Sequence, residues 1–114
     1  MALYGLYGNN RRSQGRAKRE LNVVLRGPKE TKTVCTVDFS RGGVKVGAAM
    51  LRLALGEPVE FVMENKGNQL SFLGRVMRDD GLERINRIGR DANTFFIRIG
   101  DAKFAEFVHG NFSI

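Results

Sequence analysis

The chain has 114 residues, of which 42% are hydrophobic, and a formal net charge of +7. This size supports one folded domain with a modest core, and the composition excludes a disordered chain. No run of about 18 apolar residues is present, which excludes a membrane-spanning helix, and the first residues lack the pattern of a secretory signal. The single cysteine, Cys35, excludes an internal disulfide and fits a reducing compartment, so we expect a cytoplasmic protein or a cytoplasmic piece of a longer one.

The positive charge is concentrated in residues 1–20, which we expect to be a flexible basic segment. Five basic residues and one acidic residue give this segment +5 − 1 = +4: Arg11, Arg12, Arg16, Lys18 and Arg19 against Glu20. A solubilising tail and an electrostatic clamp for phosphate would both have this composition. The chain contains 13 arginines and 6 lysines, which favours the clamp because a guanidinium binds phosphate through two parallel N–H bonds.

The residues that follow have β character. Their pattern predicts strands over residues 21–25 and 33–39, separated by a turn at Gly27-Pro28. Gly42-Gly43 interrupts the second run, and Val44 and Val46 resume it. Residues 40–43 are therefore predicted to form the tip of a hairpin.

Further strands are predicted over residues 59–64, 70–76 and 95–99, the last two from an alternation with a period of two. Residues 48–55 are expected to form a loop, with a helical turn as the alternative. Residues 79–94 are charged and contain glycines, and this composition is typical of a mobile loop.

The C-terminal residues predict a helix. Asp101 is a suitable N-cap, Gly110 suits its end, and three apolar residues share one face: Phe104, Phe107 and Val108. Five or six short strands followed by one helix predict a mainly β fold, either a small antiparallel barrel or a sandwich, with the helix packed on it. We expect this domain to cover residues 21–114.

Two short motifs offer binding chemistry. The first is an arginine pair, Arg12 and Arg16, at the spacing R-x-x-x-R. The second reads D-x-S-x-x-G and begins at Asp38, with Ser40 two residues later. Side chains two apart on a strand point the same way, so the carboxylate and the hydroxyl should share a face.

Each motif has a simpler interpretation when it is taken alone. The arginines would then be a solvated basic tail, and Asp38 and Ser40 would be residues that favour a turn. Their co-occurrence favours a ligand that is anionic and carries a polar, planar base. Two guanidiniums suit phosphate or guanine edges, the carboxylate suits hydrogen-bond donors, and Gly42 and Gly43 allow a close approach to a ligand or a positive φ.

This arrangement of motifs resembles that of PilZ domains, bacterial receptors for cyclic di-GMP. The two motifs are separated by residues 17–37, and the resemblance continues through Gly74-Arg75-Val76 to the run from Phe95 to Gly100. It implies a six-stranded antiparallel barrel with a C-terminal helix.

The resemblance also implies roles for individual residues. Arg12 and Arg16 would hold phosphates and guanines, Asp38 and Ser40 would read a guanine, and Gly43 would leave room for the ligand. Arg11, next to the pair, is a plausible extra contact. Arg75 and Arg78 are weaker candidates, for which a role as surface charges is at least as good an explanation.

The sequence gives no case for an enzyme, because it lacks a catalytic triad, metal-ligand spacing and a phosphate-binding loop of the P-loop type. We expect no cofactor besides the ligand cyclic di-GMP, and a downstream protein partner of motility, exopolysaccharide or pilus machinery. Two alternatives stay open: a PilZ-like adaptor that binds no nucleotide, and a small basic barrel that binds single-stranded nucleic acid. The leading interpretation expects neither DNA or RNA binding nor insertion into a membrane.

Overall fold

The computed structural model describes residues 15–114, and their fold is dominated by antiparallel strands. Seven strands precede one helix in this range: β1 (Ala17–Lys18), β2 (Asn22–Arg26), β3 (Thr31–Ser40), β4 (Gly43–Ala48), β5 (Pro58–Asn65), β6 (Asn68–Ile85), β7 (Arg90–Arg98) and α1 (Ala102–Phe112). The mainly β fold with a C-terminal helix is confirmed. No helix in the described range is long and apolar enough to cross a membrane.

Six of the strands bond in a closed ring. The order is β3, β2, β5, β6, β7 and β4, and β4 pairs with β3 again to close it. The short strand β1 lies on the same edge of β3 as β2, with Ala17 opposite Phe39 and Asn22 opposite Cys35. β1 and β2 thus lie one after the other along that edge. The closed ring of the other six strands leaves few unpaired strand edges.

The core fills the inside of the ring and includes one face of α1. Phe39, Phe61 and Phe104 are fully buried and pack around one another, with ring centroids 6.2–6.4 Å apart. Val108 is also fully buried, and Phe107 packs against the same core, as the sequence predicted. Burial of aromatic side chains from both strand and helix attaches α1 firmly to the ring.

The helix begins as predicted and ends later. The Asp101 side chain accepts a hydrogen bond from the Lys103 amide, 2.8 Å away, so it is the N-cap. The expected end at Gly110 is wrong, because the helix continues to Phe112 and Ser113 caps it in the left-handed conformation (φ 58°). The Phe112 ring packs on the Phe39 ring with centroids 4.8 Å apart. This contact favours continuation of the helix to Phe112 over an end at Gly110.

The predicted mobile loop over residues 79–94 is also wrong. β6 and β7 continue through most of it as a hairpin, with pairs from Gly81–Thr94 to Ile85–Arg90. Ile85 is fully buried there in a second small cluster with Cys35 and Ala92. This packing stabilises strands that their charged, glycine-containing composition does not predict.

Candidate ligand-binding site

The turn between β3 and β4 lies where the hairpin tip was predicted. Ser40 pairs with Gly43, leaving Arg41 and Gly42 as the two turn residues. The Gly42 carbonyl oxygen accepts a hydrogen bond from the Ile99 amide, 2.9 Å away. The tip is therefore fixed to the chain that follows β7.

The two glycines of the motif have different environments. Neither has a positive φ, so of the two alternatives predicted for these glycines the positive φ is wrong, and the close approach to a ligand stays a prediction. A Cβ on Gly43 would lie 2.1 Å from the Ile97 carbonyl oxygen, whereas one on Gly42 would have no neighbour within 4 Å. Gly43 thus permits close contact between β4 and β7, a structural requirement that the motif alone does not reveal.

Asp38 is nearly buried and is paired with Arg16. Its carboxylate Oδ2 lies 3.7 Å from Arg16 Nη1, and the two side chains are 10% and 35% exposed. In β1, Lys18 pairs with Asp38 and Ala17 pairs with Phe39. Arg16, which directly precedes β1, therefore lies beside this carboxylate. Strand β1 therefore joins parts of the two motifs in one site.

Ser40 is half-buried, and its hydroxyl is engaged within the turn. Its Oγ donates to the Gly43 carbonyl oxygen at 3.3 Å. Phe39, between Asp38 and Ser40, is fully buried in the core, so its two neighbours lie on the opposite face of the strand. The two polar side chains of the motif thus share one face, as the alternation predicted, and the structure shows that this face is directed away from the core.

Arg78 lies in the same row across the sheet as Asp38. Pairs in register run from Asp38 to Lys45, from Lys45 to Phe96 and from Phe96 to Arg78. The Arg78 guanidinium stands over the Phe96 ring at 4.9 Å from its centroid. Its hydrogen bond to Asp80 and the charges of Asp80 and Asp38 raise the pKa of Arg78. The structure thus brings this predicted arginine near Asp38.

The other predicted arginines are placed differently. Arg75 Nη1 donates to the Gly56 carbonyl oxygen at 2.9 Å, and within residues 15–114 no hydrogen bond or ion pair links its guanidinium to Asp38. Arg11 and Arg12 lie outside the described residues. Their roles, like the ligand contacts of Arg16, stay predictions.

A charged network that no sequence motif indicates lies next to this row. Lys45 Nζ lies 2.6 Å from Glu83 Oε2 and 3.6 Å from Asp80 Oδ2. Asp80 also accepts two hydrogen bonds from Arg78, at 2.6 and 3.3 Å. No local pattern marks these residues, because strand pairing, not sequence proximity, brings Lys45 to the two carboxylates.

The Asp79-Asp80 pair, at the start of the predicted loop, lies inside β6 at a bulge. The register of β6 against β7 shifts between Asp79 and Gly81, and Gly81 has a φ of 76°. The Asp79 carboxylate accepts a hydrogen bond from the Gly81 amide at 2.9 Å. A glycine in the left-handed region permits such a bulge.

Asp80→Asn is expected to lower the free energy of unfolding by about 1–2 kcal/mol at pH 7. Burial by itself raises the pKa of Asp80, but the hydrogen bonds and charges of Arg78 and Lys45 outweigh it and hold the pKa below its usual value. Because the folded-state pKa is lowered, the stabilisation is present above the usual carboxyl pKa and is lost as pH falls through the lowered value.

Denaturant unfolding of the parent and Asp80→Asn between pH 7 and pH 2 checks this. We expect the difference in stability to shrink at the acid end of the range. Asp91→Asn changes an exposed carboxylate of β7 and is the matched control. The stabilising role of the Asp80 carboxylate would be contradicted if the stability difference between parent and Asp80→Asn stayed constant with pH. An equal loss of stability in Asp91→Asn would contradict it as well.

Both motif segments also contact the C-terminal helix. Arg41, in the turn, donates from Nε to the Ile114 carbonyl oxygen at 2.7 Å, and its Nη2 lies 3.2 Å from His109 Nδ1. Arg19, just after β1, stands over the Phe112 ring at 5.2 Å. A change at either motif segment can therefore reach the end of α1 directly.

The hairpin tip of β6 and β7 holds the chain between β1 and β2. The Glu20 carboxylate accepts hydrogen bonds from the amides of Asn86 and Arg87, at 3.2 and 2.7 Å. Arg87 Nε also donates to the Asn22 side chain at 3.2 Å. These hydrogen bonds fix the chain just C-terminal to Arg16 and so help to hold Arg16 in place.

Cys35 and His109 belong to no metal-binding cluster of residues 15–114. Cys35 is buried, and this burial raises the pKa of its thiol. Within residues 15–114, no group of three or more histidine, cysteine or acidic side chains is arranged to hold a metal ion. The chemistry of the described site is that of guanidinium, carboxylate and ammonium groups.

Comparison with known proteins identifies the family and proteins of similar fold. A family model described as PilZ domain matches residues 10–93. The PilZ domain of CeSA from a cellulose-synthesizing bacterium is similar with a TM-score of 0.57 and 20% identity, over 82% of this chain and 91% of that chain. The Bacillus subtilis inhibitor of motility (MotI/DgrA) is similar with a TM-score of 0.56 and 19% identity, over 83% of this chain and 46% of that chain.

This chain thus spans about half the length of the motility inhibitor. At these identities the two structures support the fold. The search among curated proteins found no match.

Proposed function

We propose that this chain, which belongs to the PilZ domain family, is a receptor module for cyclic di-GMP. The observation that carries the proposal is the 3.7 Å approach of Arg16 to Asp38. This pair joins the R-x-x-x-R and D-x-S-x-x-G motifs in one site, although 21 residues (17–37) separate the two side chains in sequence. In the proposed complex the ligand lies across the segment before β1 and the turn between β3 and β4.

The ligand offers groups that match this site. Guanine presents two donors on its N1–H and N2–H₂ edge, and an ionised carboxylate such as that of Asp38 accepts hydrogen bonds only. A guanidinium presents a planar fork that fits phosphate oxygens or guanine O6 and N7. In the proposed complex, the ion pair between Arg16 and Asp38 breaks. The Asp38 carboxylate then accepts hydrogen bonds from a guanine, and the guanidiniums of Arg16 and Arg12 donate to the ligand.

Beside the motif, Arg78 offers a half-exposed positive charge to an anionic ligand, whereas Lys45 is paired with Asp80 and Glu83. Arg78 lies over Phe96 near Asp38 and is half-exposed, with 51% of its side chain accessible. Lys45 occupies the position next to Asp38 on β4. Arg78 therefore keeps its predicted role as an additional ligand contact.

The proposed signal is a change in the segment that precedes β1. Ligand binding would draw Arg16 away from Asp38 and alter the contacts of Arg19 and Arg41 with the end of α1. A changed helix surface would then be offered to a downstream protein of motility, exopolysaccharide or pilus machinery. The proposal is for a cytoplasmic adaptor and not an enzyme.

Calorimetric titration with cyclic di-GMP, beside GMP as a control, tests the function. We expect saturable binding that GMP does not reproduce, with a stoichiometry that separates a monomeric from a dimeric ligand. Absence of heat at high micromolar cyclic di-GMP would reject the receptor function and favour an adaptor without a nucleotide. Salt-sensitive binding of single-stranded oligonucleotides with no preference for the dinucleotide would reject it in favour of nucleic-acid binding.

A further inference from the structure

A groove of about 730 Å³ lies beside the candidate ligand site, at the junction of β2, β5, β6 and β7. Three guanidiniums and five apolar side chains characterise its lining: Arg26, Arg75 and Arg98, with Pro28, Pro58, Val59, Leu73 and Met77. We call this surface the arginine groove. It is concave and open to solvent, and the ligand motifs do not account for it.

The apolar part of the groove is unusually exposed. Leu73 is 76% accessible and Met77 is 48% accessible, although both lie in the middle of β6. Leu73 stands opposite Glu60, so its cross-strand neighbour gives it no apolar partner. Large apolar side chains grouped in an open concavity are typical of binding surfaces.

The charged part of the groove is predominantly positive. Glu60 lies in it, but this carboxylate is paired with Arg26 at 3.3 Å and also accepts a hydrogen bond from the Ser71 hydroxyl. Arg98 forms no ion pair within residues 15–114. Three guanidiniums against one carboxylate attract an acidic occupant, and the net charge of +7 disfavours a second copy of the chain.

The lining does not suit a nucleobase. Among residues 15–114, no aromatic side chain lines the groove, so this part of the chain gives it no stacking platform. Its extent across three strand spacings, about 15 Å, suits a short extended peptide. Apolar contacts with Leu73 and Met77 would alternate with ion pairs to the arginines.

We propose that the arginine groove binds a short segment of a partner protein that carries both acidic and apolar side chains. This inference rests on the proposed adaptor function and identifies the surface that the adaptor presents. Arg98 pairs with Gly43 on one side and with Arg75 on the other. The groove therefore adjoins the turn of the ligand site, and a ligand there can alter the docking of the partner.

Fluorescence anisotropy with a short labelled peptide of alternating glutamate and leucine tests the proposal. The peptide is expected to bind the full chain, and Leu73→Ser should weaken it by roughly tenfold or more through loss of apolar burial. Leu82→Ser, at a leucine of β6 that is 67% exposed outside the groove, is the matched control and should bind as the parent does. The corresponding lysine–leucine peptide should not bind.

Three results would overturn the proposal: no binding of the acidic peptide, equal binding to Leu73→Ser, or equal binding of the basic peptide. Sedimentation that shows a dimer dissociated by Leu73→Ser would assign the groove to self-association instead. Thermal unfolding checks that Leu73→Ser is folded. Titration of the same variant with cyclic di-GMP separates the two proposals, because it should bind as the parent does even if the groove binds no peptide.

Discussion

Arg16→Ala is expected to weaken cyclic di-GMP binding by roughly 30- to 150-fold, since a charge-assisted bidentate contact contributes about 2–3 kcal/mol. Arg16 is the described arginine of the R-x-x-x-R motif, and its guanidinium already lies 3.7 Å from the carboxylate of the second motif. Without it, the ligand loses a planar pair of donors, and Asp38 loses its partner in a nearly buried position. Isothermal calorimetry on both proteins measures the change.

Two further variants separate binding from charge and from folding. Arg84→Ala removes an exposed arginine of the β6–β7 hairpin and should leave the affinity unchanged, which controls for net charge. Arg16→Lys keeps the charge but loses the planar fork, so it should restore only part of the affinity. Parent-like binding by Arg16→Ala would rule out the proposed site, and complete rescue by lysine would show that the charge, not the fork, is required.

Elements with a strong local signal were predictable from the sequence. Asp101 caps α1 because an aspartate before a helix can accept from the amide two residues on. The β3–β4 hairpin was predictable because alternating apolar residues flank a glycine pair. The shared face of the Asp38 and Ser40 side chains was predictable from strand alternation, and the burial of Phe39 between them confirms it.

Elements that depend on distant pairing were not predictable. The hairpin over residues 79–94 is held by Ile85, which packs with Cys35 of a strand far away in sequence. Lys45 meets Asp80 and Glu83 only because β4 and β6 flank β7. The arginine groove needs four strands in register before its guanidiniums and apolar side chains become one surface.

Gly43→Ala is expected to lower the free energy of unfolding by about 3 kcal/mol or more, at or above the upper end of the usual range for overpacking. The new Cβ would lie 2.1 Å from the Ile97 carbonyl oxygen and 3.1 Å from the Arg98 Cα. These are backbone atoms of a paired strand, so no side-chain rotation relieves the clash. Relief requires β4 to separate from β7, which would open the closed ring at the edge that carries the ligand turn.

Thermal unfolding of Gly43→Ala should show a melting temperature lower by roughly 10–20 °C. Gly42→Ala is the matched control, because a Cβ there has no neighbour within 4 Å and φ is not positive, so its stability should stay close to that of the parent. If Gly43→Ala were as stable as the parent yet lost cyclic di-GMP binding, this glycine would serve the ligand and not the sheet. The reverse pattern, a large loss of stability with binding retained in the cold, would show that the final glycine of the D-x-S-x-x-G motif acts by joining β4 to β7.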